Sequence, residues 1–184
     1  MFRKKLSNSS LLVSAIGIGS QFWGGKQDIN ETFQQLDFAI DNGINFIDTA
    51  EIYPVPYSKK TWGNSERFIG LWLEKKKRRE KIIIATKIAG RSNEFPYIRN
   101  GKLKLDKHNI QEAVDESLRR LKSGYIDLLQ MHWPDRLTNF FGQLEYQHVE
   151  NSESISIEET LEVLQTLVES GKVREIGICN ETSW

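Results

Sequence analysis

The chain has little cysteine, no excess of charge of either sign and no long apolar run, and each lack excludes a class of protein. One cysteine among 184 residues excludes an internal disulfide framework and a cysteine-rich zinc site. The 25 basic residues balance 25 acidic ones, which argues against binding to nucleic acid through a basic excess. No apolar run approaches the roughly 18 residues that a membrane-spanning helix needs. We therefore expect a cytoplasmic protein without nucleic-acid or membrane partners.

The composition, with 39% hydrophobic and 27% charged residues, is that of one folded domain covering residues 1–184. The basic residues 3–5 precede the apolar residues 11–19, an arrangement that loosely imitates a signal peptide. The polar residues 7–10 interrupt this signal-peptide pattern and favour a β-hairpin over the same residues. His108 and His148 lack the spacing of metal ligands, so no metal site is predicted.

Short β-branched runs alternate with segments of helical period along the whole chain. The predicted strands cover residues 15–19, 45–48, 81–86, 125–130 and 173–178, after a hairpin of residues 2–6 and 11–13. Asp28 with Glu31 forms a capping box at the start of the first helix, and Gly124 is expected to end the third. The repeated order of strand, helix and strand predicts right-handed crossovers and a parallel sheet.

Two architectures fit this order, a doubly wound sheet and a (β/α)8 barrel. A doubly wound dinucleotide-binding sheet has a G-x-G-x-x-G turn after its first strand, and Phe22 interrupts that pattern after Gly17 and Gly19. A complete barrel needs about 250 residues, whereas this chain contains four and a half strand-helix units. The periodicity alone leaves the two alternatives open.

Four chemically distinct side chains occur where the predicted strands end, and a fifth strand ends in Cys179 and Asn180. Asp48, Tyr53, Lys87 and His132 are the four, an acid, a phenol, an ammonium and an imidazole. Each alone has an ordinary explanation, as a helix cap, a loop aromatic, a solvated lysine or a structural histidine. Because barrel enzymes collect their catalytic groups at the carboxyl ends of the strands, the four together predict an active site.

These four residues resemble the catalytic tetrad of the aldo-keto reductases. Two longer segments resemble that family around its fourth and fifth strands, residues 117–134 and 171–180. Three segments resemble its bacterial Tas-like branch, residues 50–56, 132–142 and 178–182. The resemblance implies a (β/α)8 TIM barrel, NADPH as cofactor and a small-molecule aldehyde or ketone substrate. The chain would then be an incomplete barrel, made of an N-terminal hairpin, strands one to five and helices one to four.

The resemblance also implies a role for each catalytic residue in carbonyl reduction. Tyr53 would donate a proton to the reduced oxygen, although a free phenol has a pKa of about 10. An ammonium about 4 Å away is worth roughly 4 kcal/mol, so Lys87 could lower that pKa by up to about three units. Asp48 would balance the lysine charge, and His132 would orient the carbonyl group.

Contacts with the cofactor and the substrate follow from the same resemblance. Ser20 and Asp48 would lie near the nicotinamide ribose, and Asn180 would bind the carboxamide. Cys179 stands where the family usually has serine, and sulfur is the weaker hydrogen-bonding atom. Trp133 is expected to wall the substrate pocket, a role also considered for Trp62.

Other functions remain open at this stage. The first is a cofactor-binding regulatory or interaction subunit without rapid turnover. The second is a glycoside hydrolase using Asp48 and Glu51, which are only three residues apart in one loop.

The basic run of residues 75–79 is interpreted as the solvated end of a helix. The part of the family's barrel that contacts the adenine and the 2′-phosphate lies outside the matching half, so we expect weak activity. The remaining strands of the barrel lie outside it as well, so we expect open sheet edges and self-association.

Overall fold

Five strands lie side by side as one parallel sheet in the computed structural model, which describes residues 1–138, 145 and 153–181. The strands are β3 (Ile18–Gly19), β4 (Phe46–Asp48), β5 (Ile83–Ile88), β6 (Ile126–Met131) and β7 (Val173–Ile178), after the antiparallel hairpin of β1 (Arg3–Lys5) and β2 (Leu12–Ser14). Their spatial order is their order along the chain. A doubly wound sheet reverses its strand order, so this arrangement is a partial (β/α) barrel, as predicted.

Four helices connect the strands, and the first of them begins at its predicted capping signal. The helices are α1 (Ile29–Asp41), α2 (Asn64–Lys76), α3 (Lys107–Leu121) and α4 (Ile157–Glu169), with 3-10 turns at Arg79–Lys81 and Arg99–Gly101. The capping box is confirmed, because the Asp28 carboxylate accepts from the Glu31 amide at 2.9 Å and Glu31 reciprocates at 3.0 Å. No helix in the described ranges is long and apolar enough to cross a membrane.

Four predictions about local structure were wrong. The first strand of the sheet covers Ile18–Gly19 rather than residues 15–19, because residues 15 and 16 form a bend. The third strand of the sheet starts and ends two residues later than predicted, because Lys81 belongs to a 3-10 turn. The left-handed residue that ends α3 is Lys122, with φ of 49°, and Gly124 lies beyond it. Arg79, in the basic run, is not solvated, because its guanidinium turns inward to the buried Asp127 at 2.7 Å.

The hydrophobic core is divided into clusters, and together they leave the carboxyl end of the sheet's inner face for a site. A large cluster fills the space between the helices and the outer face of the sheet, with Trp72 and Leu129 in it. The hairpin brings Leu11 and Val13 against the inner face near Ile83. The inner face is therefore covered at the amino end of the strands, which leaves the carboxyl end for a site.

Candidate active site

Four polar side chains lie together at the carboxyl end of the sheet. Asp48 is the last residue of β4, Lys87 is the next-to-last residue of β5, and His132 directly follows β6. Tyr53 lies in the loop after β4. Because neighbouring parallel strands end on the same side of a sheet, the fold brings all four predicted residues to one rim.

The ammonium of Lys87 is held by three acceptors. Its Nζ atom donates to both carboxylate oxygens of Asp48 at 2.7 Å and to the carbonyl oxygen of Thr49 at 2.9 Å. These contacts use all three N–H groups of the ammonium. The Lys87 side chain is 6% exposed and that of Asp48 is 35% exposed, so the ion pair reaches solvent through the carboxylate.

The phenol of Tyr53 lies beside this ion pair, with Lys87 Nζ 5.4 Å from the centroid of its ring. Burial raises the pKa of Tyr53 above its ordinary value, and the negative charge of Asp48 raises it further. The prediction that Lys87 brings this pKa below its ordinary value is therefore wrong, because burial and Asp48 together outweigh the charge of Lys87. With its pKa raised, the phenol remains protonated at neutral pH.

His132 completes the cluster as a buried and uncharged imidazole. Its ring meets the Tyr53 ring edge-on, with the centroids 5.8 Å apart. Burial, and then the charge of Lys87, lowers the pKa of His132 to about 3. A neutral imidazole has one N–H donor and one acceptor nitrogen. The buried Nδ1 atom has no hydrogen-bond partner among the described residues.

The residues predicted to contact a cofactor lie on two sides of this cluster. Ser20 follows β3, and its amide donates to the carbonyl oxygen of Asp48 at 2.9 Å. The Ser20 hydroxyl is buried, and no partner for it occurs in the part of the chain that the structure describes. On the other side, the Asn180 amide nitrogen donates to the carbonyl oxygen of His132 at 2.8 Å and to Cys179 Sγ at 3.3 Å. The side-chain carbonyl of Asn180 is the atom left to accept a further bond.

The two tryptophans considered for the substrate pocket have different surroundings. Trp133 is 1% exposed, stacks on Phe95 at 6.0 Å between centroids and donates its indole N–H to the carbonyl oxygen of Arg91 at 3.0 Å. Its ring centroid lies 5.0 Å from that of His132, so it supports the imidazole from inside the protein. Trp62 is half-buried. A contact of either ring with substrate stays a prediction.

A buried ion pair that was not predicted as part of the site, Glu51 with Arg99, lies behind the cluster. Arg99 Nη1 donates to Glu51 Oε1 at 2.5 Å, and the two side chains are 4% and 1% exposed. The sequence suggests Glu51 only as a hydrolase carboxylate, and its burial and ion pair do not support that role. Arg99 lies 48 residues away along the chain, so the only sequence signal was the position of Glu51 between Asp48 and Tyr53.

Metal-binding side chains do not form a cluster in the described ranges, where no group of three or more histidine, cysteine, aspartate or glutamate residues is placed to hold an ion. His108 lies exposed on α3, 3.7 Å from Glu112. His148 lies outside the described residues. The side chains gathered at the rim are a carboxylate, a phenol, an ammonium and an imidazole.

Comparison with known sequences agrees with this arrangement. The sequence model for the aldo/keto reductase family matches residues 15–184. Protein tas of Escherichia coli (strain K12) is 43% identical over 181 residues, which are 98% of this chain and 52% of that protein. Aldo-keto reductase YhdN of Bacillus subtilis (strain 168) is 33% identical over 180 residues, 95% of this chain and 46% of that protein. This chain spans about half the length of these curated relatives.

Comparison with solved structures gives the same result for the fold. The aldo-keto reductase AKR11C1 from Bacillus halodurans, in its holo form, matches with a TM-score of 0.70 and 32% identity, covering 97% of this chain and 50% of that one. The thermostable aldo-keto reductase Tm1743, in complex with the inhibitor epalrestat, matches with a TM-score of 0.72 and 28% identity. That match covers 100% of this chain and 55% of the other.

Proposed function

This chain belongs to the aldo/keto reductase family, and we propose that it carries the catalytic groups of an NADPH-dependent reductase of aldehydes or ketones. The observation that supports the proposal best is the convergence of Asp48, Tyr53, Lys87 and His132 at one end of the sheet. In this proposal residues 1–184 form the N-terminal part of a single barrel domain. The hairpin covers the amino end of that barrel.

Tyr53 is the proton donor of the proposed reaction. A bound NADPH would supply a hydride to the carbonyl carbon and become NADP+, so that negative charge would develop on the carbonyl oxygen. The Tyr53 O–H bond then breaks, its proton moves to that oxygen, and the products are an alcohol and a phenolate. The raised pKa of Tyr53 keeps the proton in place beforehand. Because an alkoxide is a stronger base than a phenolate, the transfer remains favourable.

The other three residues stabilise and orient the reacting groups. Lys87 lies close enough to the Tyr53 ring for its charge to stabilise the phenolate that forms, an attraction stronger than the one to the neutral phenol. Asp48 balances the buried ammonium charge while the phenol is neutral. The neutral His132 donates an N–H to the carbonyl oxygen and fixes its direction.

The residues around the rim fit a nicotinamide nucleotide. Ser20 offers a buried hydroxyl without a partner among the described residues, and its backbone amide bonds to the backbone carbonyl of Asp48. We assign the Ser20 hydroxyl and the Asp48 carboxylate to the ribose hydroxyls. The side-chain carbonyl of Asn180 would accept from the carboxamide, with Cys179 beside it. One matched aldo-keto reductase was solved in its holo form, which supports the binding of a cofactor at this site.

Steady-state oxidation of NADPH with a panel of aldehydes and ketones tests the proposal. The assay uses the longest product of the reading frame, established by sequencing the gene beyond codon 184. We expect Tyr53→Phe to lower kcat by about 10²–10⁴-fold, the usual contribution of a general acid. Tyr57→Phe, a change of the same kind in the same loop, is the matched control and should retain activity. Equal turnover by the two variants would contradict the role of Tyr53, and tight NADPH binding without turnover would favour the regulatory alternative.

We also propose that the 184-residue chain associates with itself through its open sheet. In the described part of the chain, β3 and β7 each pair with a single neighbour, which leaves two strand edges for another chain. Ile176 and Ile178 of β7 are 37% and 55% exposed. Light scattering should therefore show particles heavier than the 21.3 kDa monomer, and a monodisperse monomer would contradict the proposal.

A further inference from the structure

We propose that Glu51 is a positioning residue which, together with Arg99, fixes the loop carrying Tyr53 against the strand end carrying Lys87. The inference rests on the proposed function, because it concerns the geometry of the same proton donor. Neither Glu51 nor Arg99 touches the reacting groups. Both act through the backbone of the segments that hold them.

A closed ring of hydrogen bonds joins the two segments. The Glu51 amide donates to the carbonyl oxygen of Lys87 at 2.9 Å, and the Ala89 amide donates back to Glu51 Oε2 at 2.9 Å. Arg99 donates through Nη1 to Glu51 Oε1 and through Nη2 to the carbonyl oxygen of Ala89 at 2.9 Å. Both peptide groups of Ala89 are thus satisfied by side chains.

This ring replaces the sheet ladder beyond the point where regular pairing stops. The pairing of β4 with β5 ends at Asp48 with Ala85, yet the chain continues in parallel until the Glu51 amide bonds to Lys87. Ala89 is fully buried, so its N–H and C=O would be costly to leave unpaired. The Glu51 and Arg99 side chains supply the missing partners. They extend the contact of the two segments past the catalytic lysine.

The location of this extension determines what it positions. Glu51 lies two residues before Tyr53, and Ala89 lies two residues after Lys87. A shift of the Glu51 backbone would therefore move the phenol relative to the ammonium, whose Nζ lies 5.4 Å from the ring centroid. Displacements of about 1 Å in an active site can cost about 10²-fold in rate.

Because Glu51 and Arg99 are charged, replacing them with apolar side chains can distinguish a positioning role from simple packing. A buried ion pair can often be replaced by apolar side chains of similar volume without loss of stability. Apolar side chains cannot accept from the Ala89 amide or donate to its carbonyl group. The double variant Glu51→Leu with Arg99→Met should therefore recover stability and fail to recover the geometry of the site.

The experiment compares this double variant with a matched one at another buried ion pair. Glu66 and Arg120, both 0% exposed and 2.6 Å apart, join α2 to α3, and Glu66→Leu with Arg120→Met is the control. We expect kcat to fall about 10–100-fold in the Glu51 and Arg99 double variant, with KM for the carbonyl substrate nearly unchanged. The control should keep kcat. A kcat within twofold of wild type in a stably folded Glu51 and Arg99 variant would overturn the inference.

A second measurement keeps the inference testable without turnover and without a double variant that folds. In Glu51→Gln, amide hydrogen exchange should speed up together in residues 53–63 and 87–89, since the bond between the two segments is weakened. Unchanged exchange in both segments would overturn the inference. If wild type binds NADPH but reduces nothing, the proposed function fails, whereas the exchange result still decides the role of Glu51.

Discussion

The two ends of the parallel sheet hold clusters made of the same kinds of side chain. At the carboxyl end Asp48 pairs with Lys87 beside Tyr53. At the amino end Asp127 pairs with Arg79 at 2.7 Å and with Arg174 at 2.9 Å, and both guanidinium groups lie within 4.0 Å of the centroid of the Tyr125 ring. Each cluster therefore has a carboxylate, a cation and a phenol.

The clusters differ in what they leave unused. Asp127 also accepts from the amide of Ile84 at 3.0 Å, and none of the buried polar atoms without a partner in the described ranges belongs to the amino-end cluster. At the carboxyl end, the Ser20 and Thr49 hydroxyls and His132 Nδ1 lack partners among the described residues. A cluster that consumes its own hydrogen bonds stabilises the fold, and one that leaves them open is suited to a ligand.

Removal of the carboxylate at the amino end should have the largest effect on stability. Asp127→Ala leaves two arginines without their buried partner, which costs about 3–5 kcal/mol in the free energy of unfolding. The exposed pair of Asp115 with Lys172 offers the control, because Asp115→Ala should cost less than about 1 kcal/mol. Urea denaturation measures both. A loss at Asp127 as small as that of the control would mean that this cluster does not stabilise the sheet.

The imidazole at the carboxyl end should make stability depend on pH. The pKa of His132 is lowered from 6.5 to about 3 in the folded protein, so the unfolded chain binds a proton first as the pH falls. Stability contributed by the neutral ring is therefore complete above pH 6.5 and is lost as the pH falls from 6.5 toward about 3. Between neutral pH and about pH 4.5 the loss is about 2–3 kcal/mol.

Variants isolate this effect from the titration of carboxylates in the same range. The gap in unfolding free energy between wild type and His132→Gln should shrink by about 2–3 kcal/mol between neutral pH and about pH 4.5. His108, whose side chain is 87% exposed, supplies the control, and His108→Gln should follow wild type at both pH values. A gap for His132→Gln that does not change with pH would show that the ring is not kept neutral by burial.

The contrast between the clusters also shows what a sequence can predict. The four site residues were predicted because each follows or ends a strand with a strong apolar pattern, and the parallel order places such ends together. The sign of the Tyr53 pKa shift was not, because it depends first on how deeply the phenol is buried and then on the nearby charge of Asp48. Nothing in the basic run of residues 75–79 indicates which side chain turns inward.

The pair of Glu51 and Arg99 shows the same limit for the site itself. Glu51 and Arg99 are 48 positions apart along the chain, and no periodic pattern connects them. The strand order could not be predicted from local patterns either. Those patterns predicted a parallel sheet but did not distinguish a barrel from a doubly wound fold. Contacts between segments that are distant in the chain determine both the strand order and the pairing of Glu51 with Arg99.

The same substitution of both phenols, tyrosine to phenylalanine, tests the contrast between the two clusters most directly. Tyr125 works through the face of its ring, so Tyr125→Phe should change the free energy of unfolding by less than about 0.5 kcal/mol. Tyr125→Leu removes the aromatic face from two guanidinium groups and should cost about 1–2 kcal/mol. In the proposed reaction Tyr53 works through its hydroxyl, so the same loss of one oxygen should lower kcat there by about 10²–10⁴-fold. If Tyr125→Phe destabilised the protein as much as Tyr125→Leu, the hydroxyl would matter at both ends, and the distinction between a structural and a reactive cluster would fail.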